Sequence, residues 1–352
     1  MADTGARSSA RGSAGGPRLL LYGMYDASVP ASAPRVRIAM LAEALEQRSR
    51  LVRADRGRWH RLLAVPRVLW QLRHVDAVYV ESPTGASMPW DLLVLAAARA
   101  MGRPVGIYFR DAYQLFRELY PAGSFRQRIS DLAWSLSIRL LRSLATVRFV
   151  PSAGLAAALR LRDAVVLPPG TDPRQPDLGA GNEQVVAYVG PMNPADGFDR
   201  LLAAMAAARA ELPAARLLVI SGTERADLPD WVDLVAADRR ELPRLLARAR
   251  ACVIPRPINA YTDLARPVKL ADYLSLGKPV VATAAAETAA LLQPSGAGLL
   301  VSDDPADLAR GLLAVLRDRE LAERLATAAR ALAVSPESTW DDRAAEIVER
   351  LS

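Results

Sequence analysis

The sequence predicts an α/β protein with two doubly wound parallel sheets joined by a short linker. Apolar strand-like runs alternate with amphipathic helical segments along almost the whole chain, as is typical of parallel sheets built from strand–helix–strand units. A chain of 352 residues is also longer than one ordinary core accommodates. The alternation is interrupted at residues 171–183 by a stretch rich in Pro, Gly, Asp and Asn. We therefore expect one domain before this stretch and one after it.

The first half of the chain predicts one parallel domain, residues 18–170. Apolar residues at helical spacing, such as Ile38 and Leu41, indicate its helices, and short apolar runs indicate its strands. Pro66 lies inside one helical segment, so we expect a kink or two pieces there. Residues 1–17 are small, polar and unpatterned, which predicts a disordered tail. The predicted strands are 18–24, 76–82, 104–110, 146–152 and 164–170, and the predicted helices are 35–49, 58–74, 90–102, 125–144 and 154–162.

The second half predicts another parallel domain, residues 184–337, after the linker at 171–183. A last segment, residues 338–352, begins with a Ser-Thr cap and an acidic first turn, which predicts an amphipathic helix. Two doubly wound domains leave a cleft between them, and ligands of such sheets lie at the carboxyl ends of the strands. The predicted strands are 185–190, 215–222, 231–237, 251–257, 279–283 and 297–302, and the predicted helices are 197–212, 241–249, 267–276, 286–292, 305–316 and 319–333.

Composition narrows the classes of function. The formal net charge is +7, but the arginines are spread over the chain and no nucleic-acid-binding motif accompanies them, so nucleic acid is not an expected partner. The single cysteine, Cys252, lies in an apolar run and is expected to be an inert packing residue of a cytoplasmic protein. No apolar run is long enough to span a bilayer, and the start of the chain lacks the apolar core of a signal peptide. No His, Cys or Asp cluster has metal-ligand spacing, and His60 and His74 are expected to be surface residues.

Only two of the 45 basic residues are lysines, and both lie in the stretch RPVKLADYLSLGKPVVAT, residues 266–283. Chance is one explanation in an arginine-rich chain. A site that needs a compact ammonium instead of a planar guanidinium is the other. Lys269 falls in the first turn of a predicted helix, whereas Lys278 follows the end of that helix. We therefore expect a functional role for Lys269, and for Lys278 we favour a structural one.

The start of this helix predicts an anion site. Pro267 suits the first helical position, and Gly277 suits the left-handed position after the end. Arg266 and Lys269 lie where the helix macrodipole is positive, so both cations are disfavoured there unless an anion lies between them and the free N–H groups. A sugar-nucleotide diphosphate is such an anion. Asp272, one turn later, is suited to accept both hydroxyls of a ribose, or alternatively to pair with a nearby arginine.

Polar residues in loops that follow strands add further candidates. Gly190 begins a loop between a strand and a helix, although its glycine spacing fits neither a Walker loop nor a Rossmann fingerprint. Ser221, Gly222, Arg256 and Asp263 lie in loops after later strands. We expect these residues to line the cleft on the side of the second domain.

Arg110 and Asp111 follow a strand of the first domain. The carboxylate is suited to orient or deprotonate a hydroxyl group, and the guanidinium is suited to hold a phosphate. A mutual ion pair that closes the loop is the alternative interpretation. We expect this pair on the first domain's side of the cleft.

Several motifs occur in a fixed order along the chain. They are APRVRIAMLAEALEQR, VDAVYVESP, YFRDAY and VVLPPGTDP in the first half, and YVGPMNPADGFDRLLAA, ELPRLLARARACVIPRP, RPVKLADYLSLGKPVVAT and GLLVSDDPADLARGLLAVL in the second. In this order they resemble the family-four-like glycosyltransferases of the GT-B fold, and the Pro-x-Lys before the helix resembles one branch of that family. The resemblance implies two Rossmann-like domains facing across a cleft. It also implies an N-terminal acceptor domain, a C-terminal donor domain and a last helix, 338–352, that crosses back to the first domain.

The resemblance implies roles for individual residues. Lys269 matches the lysine that engages the donor diphosphate in this branch, and Asp272 matches the acid that binds the ribose, usually Glu. Gly190 matches the glycine whose loop faces the donor. Arg110 and Asp111 lie where many relatives carry an acceptor-side pair.

The chain departs from the family pattern at two positions of the first donor-side loop. Relatives carry Arg directly after the loop glycine and Lys just before the helix glycine, whereas this chain has Pro191 and Asp196. Neutralisation of the diphosphate is therefore expected to rest on Lys269, helped by Arg266 or Arg256. Asp263 is the acid next to the position of the earlier member of the family's spaced acidic pair.

The resemblance implies a bacterial, retaining and metal-independent hexosyltransferase of cell-envelope, exopolysaccharide or glycoconjugate synthesis. A nucleotide-sugar is its donor substrate, a saccharide or lipid-linked saccharide is its acceptor, and no cofactor is expected. The helix with Phe125, Trp134 and several arginines suits an anionic membrane surface on the cytoplasmic side, or else it is an ordinary core-facing helix. A GT-B partner subunit that binds a nucleotide without transfer, and a nucleotide-sugar epimerase of the same fold, are the alternatives.

Overall fold

Two six-stranded parallel sheets form the framework of the protein. They are seen in a computed structural model that describes residues 16–24, 33–54, 58–121 and 123–352. All but the last two residues of the predicted tail 1–17 lie outside the described residues. The predicted α/β class with two doubly wound sheets is confirmed.

The first sheet is built from strands that are mostly buried on both faces, which explains why they appear in the sequence as continuous apolar runs. Its second strand is short and partly exposed, and the sequence pattern missed it. The strands are β1 Arg18–Gly23, β2 Arg50–Arg53, β3 Ala77–Glu81, β4 Val105–Tyr108, β5 Val147–Val150 and β6 Val165–Val166. Their order across the sheet is β2-β1-β3-β4-β5-β6.

Helices cover both faces of this sheet. They are α1 Ala33–Arg48, α2 Arg58–Gln71, α3 Pro89–Ala100, α4 Phe125–Leu144 and α5 Ala153–Ala158. On one face, α2, α3 and α4 share a core that includes Val68, Leu95 and Trp134. Pro66 lies inside α2 without ending it. Trp134 therefore belongs to the core, and the expectation that it faces a membrane together with Phe125 is wrong for Trp134, because the inner stripe of α4 is buried against the sheet.

The second sheet has the order β12-β11-β10-β7-β8-β9. Its strands are β7 Glu183–Val189, β8 Arg216–Ile220, β9 Val232–Val235, β10 Ala249–Ile254, β11 Val280–Thr283 and β12 Gly298–Val301. Its helices are α6 Phe198–Glu211, α7 Leu242–Leu246, α8 Val268–Ser275, α9 Ala286–Ser295, α10 Pro305–Arg317 and α11 Arg319–Ala333. None of the helices in the described part of the chain is long and apolar enough to cross a membrane.

The last helix, α12 Trp340–Leu351, returns to the first domain. Its buried side chains Trp340, Ile347 and Leu351 share a core with Leu41 of α1, on the sheet face opposite α2–α4. A capping box at Thr339 and Asp342 fixes its start. The connection 171–183 runs along the second domain, where the N–H of Leu178 donates to the carbonyl oxygen of Leu276 and that of Gly181 donates to Ala249.

The order of the strands places a switch point in each sheet. In the first sheet the connections after β1 and β3 lead to opposite sides, so the switch point lies between these two strands. In the second sheet it lies between β7 and β10 for the same reason. The carboxyl ends of such neighbouring strands leave a crevice where ligands of doubly wound folds bind. In the second domain this crevice begins at Gly190, after β7, and at Arg256, after β10.

Candidate active site

Lys269 places its ammonium group at the switch point of the second sheet. Its Nζ atom lies 4.4 Å from the centre of the Tyr188 ring and 3.4 Å from the Tyr188 hydroxyl. A Cβ atom built at Gly190 would lie 2.7 Å from the same Nζ. Gly190 has φ +138°, which favours glycine, and its missing side chain leaves the space that the ammonium occupies.

The local sequence of α8 explains this position. Leu270 and Leu274 anchor the helix in the core below the sheet. Tyr273 lies one turn after Lys269 on the same face, and its hydroxyl accepts a hydrogen bond of 2.8 Å from the N–H of Val189. This bond ties the helix to the end of β7. Lys269 is therefore carried over the loop that begins at Gly190.

Burial makes the charge of Lys269 costly. Its side chain is 14% exposed. Burial, and to a smaller extent the charge of Arg256, lower the pKa of Lys269 to about 8, while Asp196 acts in the opposite direction. A buried cation whose carboxylate partner lies 3.7 Å away favours an anionic ligand, because the ligand compensates for the lost contact with water.

Asp196 lies on the loop between β7 and α6 and faces the ammonium. One of its carboxylate oxygens is 3.7 Å from Lys269 Nζ. Its backbone N–H donates to the side-chain oxygen of Asn193 at 2.8 Å, and Gly197 follows in the left-handed conformation with φ +79°. Asp196 thus serves as an internal counter-ion of Lys269.

Arg256 follows β10 on the other side of the switch point. Its carbonyl oxygen accepts a hydrogen bond of 2.6 Å from the hydroxyl of Thr283, which fixes the backbone. Its Nε atom is buried and has no hydrogen-bond partner within the described residues. Burial raises the pKa of Tyr120 in the first domain, and the charge of Arg256 acts in the opposite direction, so the guanidinium also lies close to that domain. A second cation therefore faces the same crevice as Lys269.

Arg110 and Asp111 lie where the first domain meets the second. Arg110 Nε donates to Asp111 at 2.7 Å, so the pair predicted as an alternative is formed. Asp111 also accepts hydrogen bonds from Thr84 at 3.1 Å and, across the domain boundary, from the Tyr261 hydroxyl at 3.2 Å. The carboxylate is thereby held at the boundary by three partners.

An aromatic cluster closes this end of the boundary. The Tyr261 ring of the second domain lies 4.4 Å from Tyr113, 5.7 Å from Phe116 and 5.7 Å from Tyr120, measured between ring centres. All three partners belong to the loop that also holds Asp111. Aromatic pairs stabilise a fold by more than the burial of their apolar area alone provides. This cluster therefore fixes the loop that holds Asp111 against the second domain.

Arg266, which was expected to hold one anion together with Lys269, has a carboxylate partner in the second domain. Its guanidinium donates to Glu287 at 3.0 Å, across the start of α9. Burial lowers the pKa of Arg343 in α12, and the charges of Arg266 and Arg37 lower it further, so both of these arginines lie near Arg343. Arg37 is itself paired with Glu81 at 3.1 Å. Arg266 therefore belongs to a group of cations at the domain boundary.

Asp272 forms an ion pair with Arg239, which is the alternative that the sequence left open. Arg239 Nε and Nη2 approach the same oxygen at 2.9 and 2.6 Å. Burial raises the pKa of Asp272, and Arg239 counteracts this. Arg239 also contacts the sulfur of Met40 in α1. A ribose at Asp272 would have to share the carboxylate with this arginine.

The remaining predicted residues, Asp263, Ser221 and Gly222, lie in connections that follow strands, where the contacts of Asp263 and Ser221 are to backbone N–H groups. Asp263 accepts a hydrogen bond of 2.8 Å from the N–H of Ala286 and so caps α9. Ser221 and Gly222 follow β8, on the far side of β7 from β10. The Ser221 hydroxyl accepts from the N–H of Thr223 at 3.1 Å, and a Cβ at Gly222 would meet nothing within 4 Å.

The contacts of the second lysine, Lys278, are those of a residue that stabilises the fold. Lys278 is fully buried, and its ammonium donates to the carbonyl oxygens of Gly179 at 2.8 Å and Ala249 at 2.5 Å.

Cys252 is also buried, and burial raises the pKa of its thiol to about 12. Across residues 16–24, 33–54, 58–121 and 123–352, no three His, Cys, Asp or Glu side chains are grouped so that they can hold a metal ion.

Sequence reasoning missed Tyr188, Tyr261 and Arg239, which complete these contacts. Tyr188 lies inside the apolar run VVAYVG, which predicts a strand and does not by itself indicate a role in a site. Tyr261 and Arg239 lie in loops far from their partners along the chain. The only signal for Tyr188 was its place two residues before Gly190, at the carboxyl end of a strand.

The fold and the boundary between its domains define a GT-B protein, and comparisons with known proteins agree. Residues 183–318 match the family model described as glycosyl transferases group 1. No curated protein sequence matches the chain.

Solved structures match almost the whole chain. Sucrose-phosphate synthase from Thermosynechococcus elongatus superposes with a TM-score of 0.65 at 18% identity, over 95% of this chain and 98% of that one. HepE from Anabaena, in complex with UDP-glucose, gives 0.68 at 16% identity over 95% and 99%. A UDP-forming trehalose-phosphate synthase from Burkholderia xenovorans, in complex with glucose-6-phosphate, gives 0.62 at 12% identity over 96% and 100%. These likenesses establish the GT-B fold.

Proposed function

We propose that the protein is a glycosyltransferase that moves a sugar from a nucleoside-diphosphate sugar to a saccharide or lipid-linked acceptor, with retention at the anomeric carbon. The observation that carries this proposal is the buried ammonium of Lys269 above Gly190, at the switch point between β7 and β10. The match of residues 183–318 to group 1 glycosyl transferases supports it.

The donor diphosphate is assigned to the crevice between Lys269, Arg256 and the start of α8. No side chain of the described residues caps that helix, so its first N–H groups are available to phosphate oxygens. Lys269 lies in the first turn, where a bound dianion converts an unfavourable cation–dipole contact into a favourable one. The nucleoside is assigned to the side of Asp272 and Arg239, one turn further along the same helix.

The chemical step needs stabilisation of a departing diphosphate. The bond between the anomeric carbon and the phosphate oxygen breaks, and the acceptor oxygen bonds to that carbon on the same face. The acceptor's proton passes to the departing phosphate oxygen, so no separate base enters the balance. Lys269 and Arg256 stabilise the negative charge that develops on the leaving group, and they do so without rearrangement because the fold holds them in place.

Asp111 is assigned to the acceptor. Its carboxylate is held by Arg110, Thr84 and Tyr261, which gives it a defined direction at the domain boundary. A carboxylate with this support is suited to accept a hydrogen bond from an acceptor hydroxyl and to orient it. The loop that carries it is fixed against the second domain by the packing of Tyr113 and Tyr120 on Tyr261.

Thermal-shift and calorimetric titration with UDP-, GDP- and dTDP-sugars test the donor site, because a ligand that binds the folded state stabilises it by mass action. We expect one nucleotide series to raise the melting temperature of the wild type and to fail with Lys269→Ala. Arg324→Ala, which removes an exposed cation of the same domain, is the control. Unchanged donor affinity in Lys269→Ala contradicts the assignment. Transfer is then measured with radiolabelled donor, and the anomeric configuration of the product decides between retention and inversion.

A second function, nucleotide binding without transfer, is favoured by one observation. Asp196 partly neutralises Lys269. In that case the chain binds a nucleotide diphosphate but neither hydrolyses nor transfers the sugar, and it acts as the partner of an active enzyme. Donor hydrolysis or transfer by the purified chain alone excludes this alternative.

A further inference from the structure

We propose that the outer face of the α2–α3–α4 layer is a docking surface for an anionic lipid bilayer. The three helices lie side by side on one face of the first sheet, since their inner side chains share a single core. Ten of the sixteen exposed large apolar side chains in the described part of the chain lie on these three helices. Apolar exposure is thus concentrated on one layer of the first domain.

The outer stripe of α4 is apolar over its whole length. Phe125, Ile129, Leu132, Leu136 and Leu140 follow one another at steps of three or four residues and share one side of the helix. Phe125 and Leu132 are 77% and 72% exposed. The opposite side, with Trp134, Ile138 and Leu141, is already buried against the sheet. The exposed stripe is therefore not needed to hold α4 in the fold.

The neighbouring helices continue this apolar surface. On α2, Trp59, Leu63 and Trp70 are 67%, 80% and 60% exposed, and Leu93 of α3 lies between the two outer helices with 54% exposure. Two tryptophans in such a position suit the boundary between lipid headgroups and acyl chains. Contiguous exposed apolar surface of this kind marks an interaction site.

The charges of the exposed side chains indicate an anionic partner for this surface. The exposed charged side chains of the three helices are all arginines: Arg67, Arg99, Arg126, Arg128 and Arg139. The two carboxylates of these helices point inward. Asp91 is fully buried against Arg61 at 2.9 Å, and Asp131 is nearly buried against Arg117 at 2.7 Å. A surface with apolar side chains and cations but without exposed carboxylates matches a bilayer with negative headgroups.

The same charges argue against self-association through this face. In a two-fold dimer the patch would meet its own copy, so arginines would be brought towards arginines. An anionic bilayer supplies the opposite charge over an extended plane, and the arginine stems can rise to the headgroups while the apolar stripe enters the acyl boundary.

The surface lies next to the acceptor side of the site. Helices of a parallel sheet run against the strands, so the N-terminal ends of α2 and α4 lie at the carboxyl edge of the sheet. Phe125 follows the loop that holds Asp111, and Leu115 and Leu119 of that loop are also exposed. If the chain is a transferase as proposed above, a lipid-linked acceptor presented by the bilayer reaches the cleft along this loop.

Co-sedimentation with vesicles tests the docking surface. Wild-type protein is mixed with phosphatidylcholine vesicles and with vesicles of phosphatidylglycerol and phosphatidylcholine. We expect binding to the anionic vesicles only, weakened by salt because part of the attraction is electrostatic. The double variants Leu132→Ser with Leu136→Ser, and Arg126→Gln with Arg128→Gln, are each expected to bind about tenfold more weakly or worse.

Controls separate docking from folding and from catalysis. Val334→Ser removes an exposed apolar side chain of the second domain, and Arg310→Gln with Arg324→Gln removes two of its exposed arginines; both should bind vesicles as the wild type does. Donor binding in solution should be unchanged in the α4 variants, so loss of vesicle binding with intact donor binding reports on this face alone. Equal binding to both kinds of vesicle, or none, overturns the proposal. So does a dimer in sedimentation velocity that the leucine variants dissolve.

Discussion

The Nζ atom of Lys269 lies 3.7 Å from a carboxylate oxygen of Asp196, so the ammonium assigned to the donor already has a partial counter-ion. An incoming diphosphate has to share the cation with this carboxylate or repel it. Asp196→Asn removes the competing charge, and we expect donor affinity to rise by roughly 3- to 10-fold, measured by calorimetry with the nucleotide-sugar that binds best. Asp199→Asn removes an exposed carboxylate of the following helix and is the control. A weaker affinity in Asp196→Asn would mean that this side chain positions the lysine more than it opposes the ligand.

Substitution should affect donor affinity at Lys269 and stability at Lys278. Lys269→Met keeps the apolar stem and removes a buried charge, so we expect loss of donor affinity by about 10- to 100-fold together with an unchanged or higher melting temperature. Lys278→Met leaves the carbonyl oxygens of Gly179 and Ala249 without their donor. It should lower the free energy of unfolding by roughly 1–3 kcal/mol and leave donor affinity unchanged. The converse pattern in denaturant unfolding and calorimetry would reverse the two assignments.

Donor affinity should depend on pH through Lys269. Its pKa is lowered to about 8, so the binding form, the ammonium, is present below this pH and is lost above it. The diphosphate of a nucleotide-sugar keeps its charge over this range, so affinity should fall as pH rises through about 8. Lys269→Met should show no such fall. Asp196→Asn should move the midpoint to lower pH, because Asp196 favours the charged lysine.

The same group predicts the pH dependence of stability in the absence of ligand. An unfolded-chain lysine has a pKa of 10.5, above the value of about 8 in the folded protein, so the unfolded state binds more protons between these two values. The contribution of Lys269 to the free energy of unfolding should therefore rise with pH across this interval. Subtracting the profile of Lys269→Met from that of the wild type isolates this contribution, and a flat difference would show that the ammonium is not buried in solution.

Gly190 should be intolerant of a side chain, whereas Gly222 should not. Gly190 has φ +138°, and a Cβ there would lie 2.7 Å from Lys269 Nζ. Gly190→Ala should cost about 1–3 kcal/mol of unfolding free energy through backbone strain and should weaken donor binding by displacing the ammonium. At Gly222 nothing lies within 4 Å, so Gly222→Ala serves as the matched control. Equal stability of the two variants would refute the geometry of the loop.

Asp272 and Arg239 should act as a coupled pair. Removing Arg239 leaves a largely buried carboxylate whose pKa burial already raises, so Arg239→Met should destabilise the protein at neutral pH more than Asp272→Asn combined with Arg239→Met does. A double-mutant cycle in urea measures this coupling. If Asp272 binds the ribose as proposed, Asp272→Asn should also reduce the preference for UDP over 2′-deoxy-UDP. An intact preference would assign Asp272 to the ion pair alone.

Much of this architecture was readable in the sequence because parallel sheets buried on both faces leave long apolar runs, as in VVAYVG and ACVIP. Helices with clear caps, such as α10 and α11, were predicted almost to the residue. The short edge strand β2 was missed, since its residues are partly exposed and carry no apolar alternation. The left-handed conformation of Gly277 was also predicted from local chemistry, because its constraint comes from the end of the helix beside it.

Side-chain pairing was decided by the tertiary structure. Arg266, expected to share an anion with Lys269, pairs with Glu287, and Asp263 caps α9, because loops from different strands converge at one edge of the sheet. The contact of Asp111 with Tyr261 joins residues 150 positions apart and depends on how the two domains meet. Local periodicity determined the strands, the helices and the position of Lys269 in the first turn of α8. Long-range packing alone decided which charges neutralise the Lys269 ammonium and which helix faces remain uncovered.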